Sequence, residues 1–333
     1  MLAAFCALGG AARNIAVGED GRRLFAVDPA ESVLLRVPRN LLLRIDDIEV
    51  SDGRIGIRPS ADIAEPERQF FESYEDAFSE SGRTRSAAFI TALDALPAEI
   101  RELLGTELKL GALLHGNQAE RIRNHFLENR AVPWRGGRVL APVLELANHD
   151  PEGLTCEWGM HLQIQGYARN EILFRRGAED AYETFRRTGV AERRPAAFSL
   201  STTAPCGDGE IAIGRDTSAG VMRQQHRIPK ASVEGGVLTL SYLMLGNRNI
   251  PRLPRGTFRS ILRDAGMKDS DEVFDQILRS NALTFIKLLQ ALEPHEGEMI
   301  SKLRTMARYQ LEAMAHCVGS REPAPAPLPI GQA

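Results

Sequence analysis

Apolar and polar positions change rhythm several times along this chain. Residues 21–43, GRRLFAVDPAESVLLRVPRNLLL, alternate short apolar runs with the turn residues Asp28, Pro29 and Pro38, which predicts two paired strands. From 65 to 130 apolar residues recur every three or four positions, in ERQFFESYEDAF, AAFITALDALPAEIRELL and ALLHGNQAERIRNHFLENR, the period of helices buried on one face. Strand texture returns at 137–144, 161–174, 196–203, 209–214 and 236–245. From about residue 256 the period is helical again. Val273, Phe274, Ile277, Leu278, Phe285, Leu288, Leu289 and Leu292 form one stripe, and Met299, Ile300, Leu303, Met306, Met314 and Val318 form a second. The break at Pro294 and Gly297 predicts two antiparallel helices packed stripe to stripe, with the methionines as ordinary core. The tail SREPAPAPLPIGQA has the Pro/Ala-rich composition of a disordered segment.

Strands, a helical insert, strands and a helical bundle in that order predict an α+β fold. No G-x-G-x-x-G follows a strand and no G-x-x-x-x-G-K-[ST] occurs, so the phosphate-cradling loops of dinucleotide and P-loop proteins are missing. Charge narrows the partners further. With 41 basic against 44 acidic residues there is no electrostatic footprint for nucleic acid or an anionic membrane. Cys6, Cys156, Cys206 and Cys317 are scattered without C-x-x-C spacing and read as reduced thiols, neither a disulfide framework nor a zinc site. The opening MLAAFCALGGAA lacks the basic flank of a secretory signal, and no run reaches membrane-spanning length. The expectation is a soluble, cytoplasmic protein.

Candidate chemistry concentrates at LELANHD, residues 144–150, where an apolar run ends in Asn148-His149-Asp150 and a loop with Pro151 and Gly153 follows. The plainest reading is a strand ending in a turn whose polar side chains satisfy nearby backbone groups. A two-metal phosphoesterase would need an upstream Asp-x-His and a further acid to hold its ions, and none precedes residue 144.

A third reading comes from likeness to a family. Residues 21–43 resemble the opening of a SET domain, the fold of most protein lysine methyltransferases, and APVLELANHDPEG is similar to that family's P-x-A-D-x-[LI]-N-H-S segment. LENRAV, residues 127–132, resembles the SRAF segment of the Rubisco and actin-histidine branch, in which a helical insert interrupts the domain and a helical substrate-binding domain follows it. The resemblance implies a SET-like domain over residues 8–203 with its insert at about 65–130. It also implies a connecting strand-rich segment at 204–255, a C-terminal helical domain at 256–319 and a disordered tail at 320–333. It implies S-adenosylmethionine as cofactor, with Asn148 and His149 holding its adenine and amino-acid ends. Asp20, Gly21 and Arg22 would line its other side, and Arg130 would pair with its carboxylate. A protein substrate would dock on the helical domain, and the acceptor would be a side-chain nitrogen, lysine or histidine.

Methyl transfer to lysine is an in-line displacement by a neutral amine, so the site must desolvate a group whose free pKa is near ~10.4 and align it with the sulfonium. SET enzymes use a channel of aromatic rings and a late tyrosine. NEILFRRGAEDAYETFRRTGV departs from that pattern: Arg176 stands where the first tyrosine belongs and Thr188 where the catalytic one does. Arg23 stands where a glycine is usual. Phe198, in AFSLS, takes the place of a channel aromatic, whereas Tyr182 has no equivalent position. An inward-facing cation at residue 176 would oppose both cofactor and substrate by about 4 kcal/mol at ~4 Å and an effective dielectric of ~20. The expectation is therefore methyl transfer of reduced or altered activity. The alternative is a degenerate SET protein that senses the cofactor or binds proteins without turnover.

Overall fold

In a computed structural model Val33, Leu35 and Val37 alternate inward along the strand Ser32–Val37, opposite Leu162 and Ile164 of the antiparallel strand Leu162–Tyr167. This period-two pattern buries one face of the main sheet. The structure describes residues 1–317 except 20, 22, 52–53, 135–136, 176–179, 218–219, 224–225 and 268–270. The fold is α+β, with helices and strands interspersed and a helical C-terminal region.

Two compact units form, and neither is continuous in sequence. The first comprises Met1–Thr91 and Gly116–Arg176, the second Ala92–His115 and Gly177–Ala333. In the first, a five-stranded sheet runs in the order Ala11–Arg13, Ser32–Val37, Leu162–Tyr167, Asn148–Trp158, Leu173–Arg175. All its pairings are antiparallel except the last, which is parallel. A hairpin of Ile15–Val17 with Leu24–Ala26 and a small sheet of Leu43–Arg44, Gly137–Leu140 and Val132–Trp134 complete its core, with the helix Gln118–Arg130 and most of the long helix Glu65–Asp94. Phe5, Leu24, Leu35, Tyr74, Val143, Ile164 and Phe174 belong to one buried cluster there.

The two strands expected within 21–43 exist, as Leu24–Ala26 and Ser32–Val37, but they do not pair with each other. Leu24–Ala26 pairs with Ile15–Val17, and Ser32–Val37 lies between Ala11–Arg13 and Leu162–Tyr167. Asn14 explains the crossover. At φ +55° its side-chain amide donates to the carbonyls of Asp28 and Glu31 and accepts the Asp28 N–H, so the Asp28-Pro29 turn is held by an upstream residue. The expected loop at Pro151 and Gly153 is instead part of the strand Asn148–Trp158. That strand passes so close to its neighbour that a Cβ on Gly153 would lie 2.7 Å from the carbonyl of Leu173, a distance only glycine tolerates.

In the second unit Ala196–Phe198 pairs with Met244–Asn247, and a four-stranded sheet runs Thr202–Cys206, Gly209–Ile213, Val237–Leu240, Ala231–Glu234. The helices Leu253–Asp264, Asp271–Leu292 and Glu298–Ala315 follow; the last two pack on each other, and Phe285, Leu288, Leu303 and Met306 on them are buried. The strands of 204–255 and these helices belong to one unit, and so does the segment Ala98–Thr106 from the helical insert. Among the described residues no helix is long and apolar enough to cross a membrane.

Candidate functional site

Asn148 ends the apolar run and begins a strand. Ala141, Val143, Leu144 and Ala147 before it are buried, whereas Asn148 is exposed. Its backbone pairs with Leu173 and that of His149 with Phe174. Its side-chain amide donates to Glu171 Oε1 at 2.6 Å. The hairpin that carries the early turn flanks the same segment: Phe25 bridges to Glu171, the Ala26 N–H reaches the Asn170 carbonyl and the Ile172 N–H reaches that of Leu24. In that turn Gly18 and Arg23 close the loop at 2.8 Å, and Gly21 sits at φ +67°, a conformation suited to glycine. Residues 170–174 are thus bordered by the Gly21 hairpin and by Asn148-His149.

Arg130 is bound from two directions. Its guanidinium makes four hydrogen bonds of 2.5–2.6 Å, two to Glu75 and two to Glu145. Burial alone would weaken its protonation, but the two carboxylates outweigh that and hold its pKa above the ordinary value. The charge that the SET resemblance reserves for a cofactor carboxylate is therefore already matched by two glutamates. Glu145 lies in the 3-10 turn Leu144–Leu146, so this cluster ties the LENR segment to LELANHD. Tyr74 completes it: its hydroxyl accepts the Val143 N–H at 3.1 Å. Burial, then the nearby Glu145 carboxylate, push the Tyr74 phenol well above its usual pKa, so it stays neutral.

Val143 itself is strained. At φ +68°, ψ −48° a β-branched residue occupies the positive-φ γ-turn region, at a cost of about 1–3 kcal/mol.

The other expected site residues lie in the second unit. Phe198 is fully buried and packs edge-on against Tyr242 at 5.4 Å. Its N–H donates to Asp180 Oδ2 and its carbonyl accepts from Arg215, so it is a core residue there. Thr188 ends the helix Ala181–Thr188. Its hydroxyl donates to the Thr184 carbonyl at 2.7 Å and accepts the Val190 N–H, so it closes its own helix next to Gly189 at φ +69°. Tyr182 is buried, its hydroxyl bonded to the Leu108 carbonyl and its ring under the Arg215 guanidinium at 4.2 Å. Asp20, Arg22 and Arg176 lie outside the described residues, as does the side chain of His149.

Sequence reading missed Glu171, Tyr74, Glu75 and Glu145. Glu145 alone carried a signal, a carboxylate inside an apolar run; the others become visible only when distant segments meet.

No family model matches the chain. An uncharacterized protein of Aquifex aeolicus (strain VF5) is 29% identical over 109 residues, which is 32% of this chain and 89% of the relative. Two solved structures are similar at low level. Rubisco LSMT bound to AdoMet matches with a TM-score of 0.39 and 11% identity over 95% of this chain and 89% of that one. The SET domain of LSMT bound to lysine and AdoHcy matches with a TM-score of 0.38 and 10% identity over 95% and 88%. Neither value assigns an activity to this chain.

Proposed function

We propose that the chain is a SET-type, S-adenosylmethionine-dependent protein N-methyltransferase whose first unit carries the cofactor. The observation that supports this most is the meeting, beside residues 170–174, of the Gly21 hairpin and Asn148-His149, the two segments to which the SET resemblance gives the cofactor. The chemistry of the donor set fits in part. An exposed amide and a carboxylate stand together at Asn148 and Glu171, the pairing that suits a ligand with polar groups and a net positive charge. In this reading Asn148 and the Gly21 turn hold the cofactor's polar ends, and Glu171 favours its cationic form. Arg130 does not fit the carboxylate role, because Glu75 and Glu145 already neutralise it. When bound, the cofactor supplies a sulfonium methyl to a side-chain nitrogen of a protein, and the helical region 256–319 is where that protein would dock.

A second reading, a cofactor-sensing or protein-binding module without turnover, is favoured by Phe198 and Thr188. One is sealed in a core and the other spends its hydroxyl on its own helix, so neither supplies the channel that methyl transfer to lysine requires. Titration calorimetry with S-adenosylmethionine, followed by labelled-methyl transfer into lysate proteins, separates the two. Binding with transfer supports the enzyme, and binding without transfer supports the module. Absence of binding sinks the enzyme and the cofactor sensor and leaves only the protein-binding module.

A further inference from the structure

We propose that Tyr74 is a positioning residue that sets the direction in which Ala147 and Asn148 leave the buried turn; this rests on the cofactor reading above. A backbone conformation as unfavourable as that of Val143 persists only where its surroundings over-determine it, and such positions cluster at ligand sites. Here the surroundings are two grips from one helix turn. Tyr74 takes the Val143 N–H, and the adjacent Glu75 takes Arg130, which in turn holds both oxygens of Glu145. Between the grips the chain makes a tight turn, with the Glu145 N–H on the Ala141 carbonyl, Leu146 on Val143 and Ala147 on Leu144. Asn148 follows at once, exposed, with its amide already turned to Glu171.

The long helix Glu65–Asp94 thus acts on the ligand-facing residue without touching the ligand. Tyr74 and Val143 are buried, so the phenol has no solvent to compete for that N–H. Removing only its oxygen leaves the packing in place and frees the strained residue to relax toward an ordinary φ. Residues 147–149 would then sample other exits from the turn.

The test uses the full chain and S-adenosylmethionine as the probe. Tyr74→Phe should weaken binding about tenfold, the scale of one lost buried hydrogen bond, and should speed hydrogen exchange of the Leu144–Asn148 amides. Glu75→Gln, which loosens the other grip, should act in the same direction. Ser86→Ala removes a buried hydrogen bond to His125 further along the same helix. It should lower the melting temperature without weakening binding, which separates positioning from general destabilisation. Wild-type affinity in Tyr74→Phe, with the wild type binding normally, overturns the positioning role and leaves the proposed function standing. If the wild type binds no S-adenosylmethionine, the proposed function falls instead. The exchange rates then decide the role of Tyr74: faster exchange at 144–148 supports it and unchanged exchange overturns it.

Discussion

The side-chain amide of Asn148 donates to the carboxylate of Glu171, two residues before the strand Leu173–Arg175 with which Asn148 pairs in parallel. Removing the amide should therefore do more than shorten a side chain. Asn148→Ala is expected to weaken S-adenosylmethionine binding by about 1–3 kcal/mol, the cost of leaving polar partners unpaired. Glu171→Gln keeps an acceptor and drops the charge, so its smaller loss isolates attraction to a cationic ligand. Calorimetry on both variants checks this, and unchanged affinity in Asn148→Ala would take the residue out of the site.

Arg130 carries its consequence in stability. Arg130→Met leaves Glu75 and Glu145 buried beside each other without a counter-charge. The expected cost is about 3–5 kcal/mol in urea unfolding. Adding Glu75→Gln should recover part of it, because one of the repelling charges is gone. Additive losses would mean that the three groups do not act as a unit.

A matching hub lies in the second unit. The buried Asp180 carboxylate caps the helix Ala181–Thr188 through the Glu183 N–H, pairs with Arg215, and accepts from the Phe198 N–H and the Gln310 amide. Asp180→Asn turns two of those donors against a new donor and strips Arg215 of its main counter-charge. We expect a loss of roughly 3–5 kcal/mol, read by thermal or urea denaturation. A change under about 1 kcal/mol would show that the hub is dispensable.

Acid should destabilise this unit through Glu183. Burial raises its pKa, but the hydrogen bonds and charge of Arg186 and the charge of Arg215 prevail, and the carboxyl is held below its ordinary value. A depressed folded pKa contributes stability above the unfolded value of about 4.3, and that contribution is lost as pH falls through the folded value. Melting temperatures measured from pH 6 to 3 should fall less steeply for Glu183→Gln than for the wild type.

Thr188→Val tests the catalytic position directly. If the hydroxyl serves only its own helix end, the variant should lose under about 1 kcal/mol of stability and keep whatever methyl-transfer rate the wild type shows. A large fall in rate with intact cofactor binding would restore Thr188 to the chemistry.

Helical period was legible and strand partnership was not. The insert at 65–130 resolves into the helices Glu65–Asp94, Ala98–Thr106, Gly111–Leu114 and Gln118–Arg130, and the stripes after residue 256 became Asp271–Leu292 and Glu298–Ala315. A helix writes its buried face locally, every three or four residues. A strand's partner is chosen by tertiary contact, which is why Leu24–Ala26 and Ser32–Val37 could be found but not paired. Pro151 and Gly153 argued for a loop because their signature is the same whether the chain turns or squeezes past Leu173. Asn148 stood out as the polar end of an apolar run. Tyr74 and Glu75 could not, since SYEDAF reads as one more amphipathic helix turn until Arg130, 55 residues on, closes against Glu75.

The interleaving of the two units sets a timetable for synthesis. Residues 92–115 leave the ribosome between the two pieces of the first unit, long before the helices they join. The helix Ala98–Thr106 packs on Asp271–Leu292, some 165 residues later, so its apolar Ile100 and Leu104 wait about 10–30 s for a partner at ordinary translation rates. During that interval the nascent chain shows greasy surface to any holdase within reach. Cutting the chain at residue 255 makes the wait permanent: it removes a wall from a half-built unit.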